Sequence, residues 1–267
     1  MPITRQLNQG QIDVLTVLYK FRFGTRELIA ASLGKQNGNP IYSRLSILEQ
    51  RGLVDKRFES SYRLNGRAAE YYLTASGLRA LRGLVELDGL DDKAIKASYK
   101  DRIASDQFLQ RNLAIYAISN ALAAIDDGLN LFTKRELTEF DYFPKQLPDA
   151  YISRKIHGSA KPYFLELFMA DMPPFAIDRR LRQFIAYYED DEWSVTETPF
   201  PAILCICEND KTEKRVRKQA VRALKRSDTD ILLYTTTLPA ITTSREGGGM
   251  IWSSISEPEK IVALPSL

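Results

Sequence analysis

Residues 41–54 read IYSRLSILEQRGLV, and their pattern indicates the architecture of the amino-terminal third of the chain. Its apolar residues recur at the spacing of one helix face: Ile41, Leu45 and Leu48. The pattern stops at Gly52, and residues 53–58 follow with the character of a strand. We therefore expect a helix that has Asn39 as its N-cap and Pro40 in its first turn, and that leads through Gly52 into a strand.

Further elements are predicted on both sides of this stretch. They are helices over residues 9–21 and 26–33, a strand over residues 68–74 and a helix over residues 75–85. Thr25 and Thr74 are suitable N-caps, and Asn65-Gly66 is a hairpin signal between the two strands. Three helices, a hairpin and a further helix form a winged helix-turn-helix. We assign it to residues 1–90.

Charge is distributed unevenly along the chain. Residues 1–84 contain 13 lysines and arginines against 6 aspartates and glutamates, a balance of +7, whereas the remaining residues contain 24 against 28, a balance of −4. A basic end on a mildly acidic remainder indicates that the amino-terminal end meets a polyanion. Together with the predicted winged helix, this balance favours double-stranded DNA as the partner.

The third helix supplies the candidate DNA contacts. Its outward side is short and polar, so it can enter a major groove and reach base edges, while arginines around the hairpin can touch the backbone or the minor groove. The candidates are Gln36, Asn37, Asn39, Tyr42, Ser43, Arg44, Ser46 and Gln50 for the helix region, and Arg57, Arg63 and Arg67 for the hairpin. The alternative is a winged helix used for protein contacts, with these arginines on a solvated face.

Two motifs in this region carry a resemblance. Residues 48–54 (LEQRGLV) resemble the end of the recognition helix and the first wing strand of many bacterial winged-helix regulators. Residues 71–78 (YYLTASGL) resemble the second wing strand of these regulators as it enters the next helix. The resemblance implies a DNA-binding fold, without indicating which DNA is bound.

Residues 91–267 predict a mixed α/β domain. The expected elements are a helix over residues 101–125, strands over 129–133, 150–155 and 163–170, a helix over 176–188, a strand over 202–207, a helix over 212–224, and strands over 231–236 and 250–255. Helices that alternate with strands in this way pack in layers on a sheet. A weakly periodic acidic stretch over residues 85–95 marks the domain boundary.

Two carboxylates fall on neighbouring predicted strands. Asp149 follows Pro148 at the start of one strand, and Glu166 lies in the middle of the next. Such a pair can share a divalent metal that activates water against a phosphodiester. Glu136 is a candidate for an extra carboxylate, and Lys155 and Lys161 are candidates for a lysine that reaches the site from a neighbouring strand. The alternative is that Asp149 starts a turn and Glu166 pairs with an arginine of the following helix, namely Arg179, Arg180 or Arg182.

These acids, placed after a long helix and an initial strand, resemble the site of the PD-(D/E)xK restriction-endonuclease-like nucleases. With the winged helix in front, the whole chain is similar to the plasmid replication-relaxation family of bacterial mobile elements, which pairs the same two modules. The resemblance implies a restriction-endonuclease-like mixed α/β domain over residues 91–267. Phe168 stands where the nuclease pattern has its lysine, so we expect this domain to be catalytically degenerate.

A second basic segment lies in this domain. The predicted helix near residues 212–224 and its flanks contain Lys211, Lys214, Arg215, Arg217, Lys218, Arg222, Lys225 and Arg226. A solvated helix face explains such a segment, and a second surface for DNA or for a partner is the alternative.

Composition limits the class of protein. Hydrophobic residues make up 44% and charged residues 27% of the chain, which is typical of a soluble globular protein, and no stretch is apolar enough for a bilayer span. Without a recognisable signal peptide and with two cysteines, we expect a cytoplasmic protein with no membrane partner.

Besides a protein–protein adaptor that uses the winged helix without nucleic acid, two functions remain open from the sequence. The first is a sequence-specific DNA-binding protein of a mobile element that regulates transcription or acts in replication or mobilisation. It would be a homodimer whose nuclease-like domain serves dimerisation or binds a replication or mobilisation protein, and it would need no cofactor. The alternative is a DNA endonuclease that binds Mg²⁺ through Asp149 and Glu166.

Overall fold

A computed structural model describes residues 6–58, 62, 64, 66–85, 87, 89–126, 128–156, 159–227, 229–243, 250–257 and 259–263. The chain forms two compact units, Met1–Asn120 and Ala121–Leu267. The first unit extends beyond residue 90, where the sequence analysis places the domain boundary. It does so because Leu109 packs in one apolar cluster with Phe23 and Tyr72.

The first unit contains seven helices and three strands among the residues that the structure describes. In chain order they are α1 (Gln9–Phe21), β1 (Phe23–Thr25), α2 (Arg26–Ser32), α3 (Asn39–Gln50), β2 (Val54–Arg57), β3 (Glu70–Leu73), α4 (Ala75–Arg82), α5 (Asp92–Ala97), α6 (Tyr99–Arg102) and the first part of α7 (Asp106–Ile125). Three helices, a strand pair and a following helix confirm the predicted winged-helix order. The single helix predicted over residues 101–125 is shorter and has two small helices before it.

Local capping explains where these helices begin. The Asn8 side chain accepts from the Gln11 backbone N–H, and the Gln11 side chain accepts from the Asn8 backbone N–H, which forms a capping box for α1. Thr25 and Thr74 cap α2 and α4, as predicted. The prediction for α3 was wrong by one residue: Asn39 is already helical and Gly38 is the N-cap, without a side-chain hydrogen bond.

The strands form a small antiparallel sheet in the order β1-β3-β2. Phe23 of β1 pairs with Tyr72 of β3, and Val54 of β2 pairs with Leu73. The three-residue strand β1 was not predicted. The sheet meets α4 closely at Gly77, where a Cβ would come 2.0 Å from the backbone oxygen of Leu53, so only glycine fits this position.

The second unit is built on a seven-stranded sheet. Its elements are the end of α7, β4 (Leu129–Thr133), α8 (Lys134–Leu137), β5 (Ala150–Ile156), β6 (Ser159–Phe168), α9 (Pro174–Glu189), a short 3-10 helix (Glu192–Thr196), β7 (Ala202–Cys207), α10 (Asp210–Ser227), β8 (Leu233–Thr237), α11 (Leu238–Thr243), β9 (Met250–Ser254) and β10 (Ile261–Ala263). From α7 to β7, the chain contains in order a helix, three strands, a helix and a strand. This is the order on which the predicted nuclease-like arrangement rests.

The strand order is β10-β9-β8-β7-β6-β5-β4. The pairs β6–β7 and β7–β8 are parallel and the other pairs are antiparallel, so the sheet is mixed. The core includes the aromatic rings of Phe164, Phe184 and Trp193, packed with apolar residues of β7 and α10. The fold is therefore mixed α+β, with a winged helix-turn-helix unit followed by a layered domain built on a mixed sheet. No helix within the described ranges is long and apolar enough to cross a bilayer.

Candidate functional site

Helix α3 presents one apolar face to the core and one polar face to solvent. Ile41, Leu45 and Leu48 are buried, which fixes the rotation of the helix. Tyr42 and Ser43 therefore face outward, and Tyr42 is 55% exposed. Among the described residues, neither of these two side chains has a hydrogen-bond partner. This face is available to another molecule.

The other candidates of this region lie on or beside the same face. Gln36, Asn39 and Gln50 are exposed, and Ser46 is half-buried with its hydroxyl 3.5 Å from Gln50 Nε2. Asn37 is also exposed, and its side-chain oxygen accepts a hydrogen bond from Arg26 Nε at 2.7 Å. Asn39, Tyr42, Ser43, Ser46 and Gln50 thus lie on α3, and Arg26 contacts Asn37 in the loop before it, a contact that the sequence did not predict.

Arg44 is directed toward the first helix. A Cβ built on Gly10 of α1 would come 2.6 Å from Arg44 Cζ, so the guanidinium lies directly over Gly10. The side chain is half-buried in this position. Because arginine has a long flexible stem, the guanidinium can leave this position to meet a phosphate at the edge of the helix.

The hairpin arginines are engaged within the first unit. Arg57 donates to the Ala104 oxygen at 2.5 Å and to Asp106 Oδ1 at 2.8 Å. Arg67 donates to Glu70 Oε1 at 2.9 Å, and this hydrogen bond raises the pKa of the Arg67 guanidinium. Contact with DNA would require these pairs to open. Arg63 lies outside the described residues.

A further ion pair lies between α3 and β2. Lys56 Nζ is 2.8 Å from Glu49 Oε1, and the hydrogen bond to Glu49 raises the pKa of Lys56. Both side chains are 35% exposed, so water screens the pair and its contribution to stability is small. Lys56, Arg57 and Arg67 are therefore held in ion pairs, whereas Tyr42 and Ser43 on α3 are exposed.

In the second unit, the sheet register brings the two candidate carboxylates together. Strands β5 and β6 are antiparallel with Ala150 opposite Leu165, so Asp149 comes opposite Glu166 one residue further along. The Asp149 backbone N–H donates to the Leu165 oxygen at 2.9 Å, which extends the pairing past the strand end. Asp149 and Glu166 are 5% and 3% exposed. The predicted juxtaposition of the two acids is present.

Asp149 is neutralised by a lysine that the sequence analysis missed. Lys134 Nζ lies 2.8 Å from Asp149 Oδ1, and the Leu167 backbone N–H donates to Asp149 Oδ2 at 2.8 Å. Thr133 of β4 pairs with Ala150, and this register places Lys134 opposite Asp149. The position of Lys134 directly after a strand was the only signal in the sequence.

Glu166 is paired with a buried arginine of α9. Arg180 Nη2 lies 2.8 Å from Glu166 Oε2, and the two side chains are 6% and 4% exposed. The same guanidinium donates to the backbone oxygens of Gln146 and Leu147 and stacks on the Phe184 ring at 4.2 Å. The pairing of Glu166 with an arginine of the following helix, which the sequence left open as the alternative to a metal site, is therefore the one observed.

The remaining catalytic candidates do not join the two acids. Glu136 Oε2 accepts from the backbone N–H and the hydroxyl of Thr133, so it serves the capping box of α8. Lys161 is five residues from Glu166 along β6, which is about 17 Å at the rise of a strand. Lys155 lies opposite Ala160, further from the acids, and its side chain is outside the described part of the structure.

The donor set does not fit a divalent cation. An ammonium group and a buried guanidinium already supply positive charge to Asp149 and Glu166, and a metal ion would have to displace both. Phe168, in the position of the nuclease lysine, is fully buried in the core. Within the described ranges, no group of three or more His, Cys, Asp or Glu side chains could hold a metal ion.

The structure joins a winged-helix unit to a layered domain in which Lys134 and Arg180 neutralise a pair of buried acids. The family described as replication-relaxation matches residues 15–203, which is more than half of the chain. The chain belongs to the replication-relaxation family. A comparison with curated proteins finds no match.

Three solved structures show similarity to the chain. The PcaV transcriptional regulator from Streptomyces coelicolor, in complex with its natural ligand, is 24% identical over 39% of this chain and 67% of that chain, with a TM-score of 0.27. Restriction endonuclease FokI is 12% identical over 93% of this chain and 46% of that chain, with a TM-score of 0.35. FokI bound to DNA is 12% identical over 90% and 44%, with a TM-score of 0.34. The chain spans less than half the length of the FokI chains.

Proposed function

We propose that this protein is a sequence-specific double-stranded DNA-binding protein of a bacterial mobile element, which acts as a transcription regulator or as a replication or mobilisation factor. The observation that carries the proposal is the outward face of α3. Tyr42 and Ser43 are exposed on a helix that the buried Ile41, Leu45 and Leu48 hold in place. A rigid helix with short polar side chains is the element that winged helices place in a major groove.

The chemistry of this face suits base edges. Hydroxyl groups of Tyr42 and Ser43 donate and accept hydrogen bonds, and the Gln50 amide can meet an adenine with both of its polar atoms. Arg44 adds the cation that such a surface needs for a phosphate or a guanine. In this proposal, Tyr42, Ser43 and Gln50 provide the sequence specificity, and Arg44 orients the protein on the duplex.

The second unit serves, in this proposal, as a scaffold for dimerisation or for a replication or mobilisation partner. Its acid pair is held by Lys134 and Arg180, which supports a structural role for Asp149 and Glu166. Two-fold symmetry would let two winged helices bind half-sites about one helical turn of DNA apart. Both the dimer and the protein partner belong to the proposal.

An electrophoretic shift on the DNA upstream of the coding region and on the plasmid origin tests this function. Ser43→Ala and Arg44→Ala should weaken the specific complex, each by about 1–3 kcal/mol for a base contact and less for a phosphate contact. Ser76→Ala and Arg79→Ala are matched controls, because both residues are exposed on α4. Unchanged binding in both α3 variants would show that α3 is not the recognition helix.

A further inference from the structure

Helix α10 carries a row of exposed cations. Its members are Lys211, Lys214, Lys218, Arg222 and Lys225, all of which are exposed. They follow one another at spacings of three, four, four and three residues, which places them on one side of the helix. At 1.5 Å per residue the row is about 21 Å long. We call this surface the α10 row.

The opposite side of α10 fixes its orientation. Val216, Ala220 and Ala223 are buried in the core of the second unit. Two other cations of the helix are also tied to the protein: Arg215 donates to the Ala170 oxygen at 2.8 Å, and Arg217 donates to the Ser254 oxygen at 2.9 Å. The helix cannot rotate without breaking these contacts, so the α10 row stays directed to solvent.

The α10 row has little charge compensation beyond the first turn of its helix. The two acids of the helix, Asp210 and Glu213, lie in that first turn, and residues 214–227 contain no Asp or Glu. Within the described structure, none of the five side chains of the row forms a hydrogen bond or an ion pair. Like charges three and four residues apart weaken a helix. A solvated helix usually carries acidic residues between its cations, so a row without acids from Lys214 to Lys225 indicates a polyanionic partner.

We propose that the α10 row is a second contact surface for duplex DNA, which binds the phosphate backbone without regard to sequence. One strand presents a phosphate every 3.4 Å along the duplex axis, so a row of about 21 Å runs beside about six of them. Lysine, which makes up four of the five positions, acts as a flexible point charge and suits phosphates more than base edges. The proposal rests on the proposed function in one respect, namely that this protein meets DNA.

A lipid surface fits the row less well. A helix that binds in a membrane interface needs a free apolar face to insert between the headgroups. The apolar face of α10 is the one formed by Val216, Ala220 and Ala223, and it is buried. Charge is therefore the only means of recognition that the helix offers, and DNA is the polyanion that the rest of the chain suggests.

The test measures binding of the full chain to a fluorescein-labelled duplex of random sequence by anisotropy, as a function of salt concentration. The variant is Lys214→Gln/Lys218→Gln, which keeps helix propensity because lysine and glutamine are similar in this respect. If both lysines contact phosphates, the slope of log K against log salt becomes less steep by about 1.8, and the affinity at low salt falls at least tenfold.

Lys93→Gln/Lys96→Gln is the matched control. Both lysines are exposed on α5, three residues apart, and their replacement removes the same net charge. This control should keep the slope of the unmodified protein. Equal slopes for the unmodified protein, the control and the α10 variant would overturn the proposal. In that event, binding of the unmodified protein to polyglutamate, lost in the α10 variant, would assign the row to an acidic protein.

A second arm separates this proposal from the function proposed for α3. With a duplex that contains a specific site, Ser43→Ala should reduce the preference for the site over random DNA, whereas the α10 variant should weaken binding to both duplexes equally. If the slope of log K against log salt is less steep in the α10 variant but Ser43→Ala has no effect, the proposal for the α10 row stands and the proposal for α3 is refuted. If Ser43→Ala reduces the preference for the site but the slope is unchanged in the α10 variant, only the proposal for the α10 row is refuted.

Discussion

The structural role of Glu166 and Arg180 can be tested through the stability of the second unit. The two charged atoms are 2.8 Å apart and both side chains are almost fully buried. Arg180→Met keeps a long apolar side chain but removes the guanidinium charge that compensates the buried Glu166 carboxylate. Loss of one partner of such a pair costs about 3–5 kcal/mol in the free energy of unfolding.

Tryptophan fluorescence in urea measures this loss for the second unit alone. The chain has two tryptophans, Trp193 and Trp252, and both are buried in that unit. With an m-value of about 2 kcal/mol/M, the expected loss lowers the urea midpoint by about 2 M. The double variant Glu166→Leu/Arg180→Met should recover only part of the stability. It removes the uncompensated buried charge, but the backbone oxygens of Gln146 and Leu147 still lose their donor.

Arg182→Met is the matched control on the same helix. Arg182 pairs with Asp178, but its side chain is 60% exposed, so water screens the pair and its removal should change stability by less than about 1 kcal/mol. If Arg180→Met were as stable as the Arg182→Met control, the buried pair would contribute no more to stability than an exposed one. If the double variant were less stable than Arg180→Met, the Glu166 carboxylate would stabilise the fold through a partner other than Arg180.

Three further predictions concern the fold and the acid pair. Gly77→Ala should destabilise the first unit by about 2 kcal/mol or more in thermal unfolding, because its Cβ would overlap a backbone oxygen, whereas Gly38→Ala should be tolerated. Burial raises the pKa of Tyr163 to about 12 and that of the Cys205 thiol above its usual range. The folded state therefore binds more protons than the unfolded state above about pH 9. Urea midpoints should accordingly fall as the pH rises above about 9, and a midpoint that rises there would contradict the assignment. Supercoiled plasmid should stay intact with the protein and millimolar Mg²⁺ or Mn²⁺, and nicking that is lost in Asp149→Ala would restore the endonuclease alternative.

The sequence predicted the winged helix well because each element carries its own signal. Apolar spacing defined α1 and α3, and Thr74 identified the start of α4. The strand β1 was missed because its three residues, Phe23–Thr25, carry no period of their own and lie between two helices. Its place in the sheet comes from pairing with β3, which is distant in the sequence.

The candidate site was predictable only in part because it depends on register and on distant partners. The order of elements was enough to bring Asp149 and Glu166 onto neighbouring strands. The lysine beside Asp149 is Lys134, which follows from the pairing of β4 with β5 and from no local pattern. Similarly, Arg57 pairs with Asp106, which lies 49 residues further along the chain, so this ion pair could not be predicted from the sequence of the hairpin.

In our proposal, the outward face of α3 recognises the base sequence of duplex DNA. Selection of bound duplexes from a random library by the full chain, followed by sequencing, measures this recognition. We expect one enriched motif for the unmodified protein, with half-sites about 10–11 base pairs apart if the protein is a dimer, and a changed base preference at one position for Ser43→Ala. A library that stays random, or an enriched motif that is identical in Ser43→Ala, Tyr42→Ala and the unmodified protein, would contradict the claim.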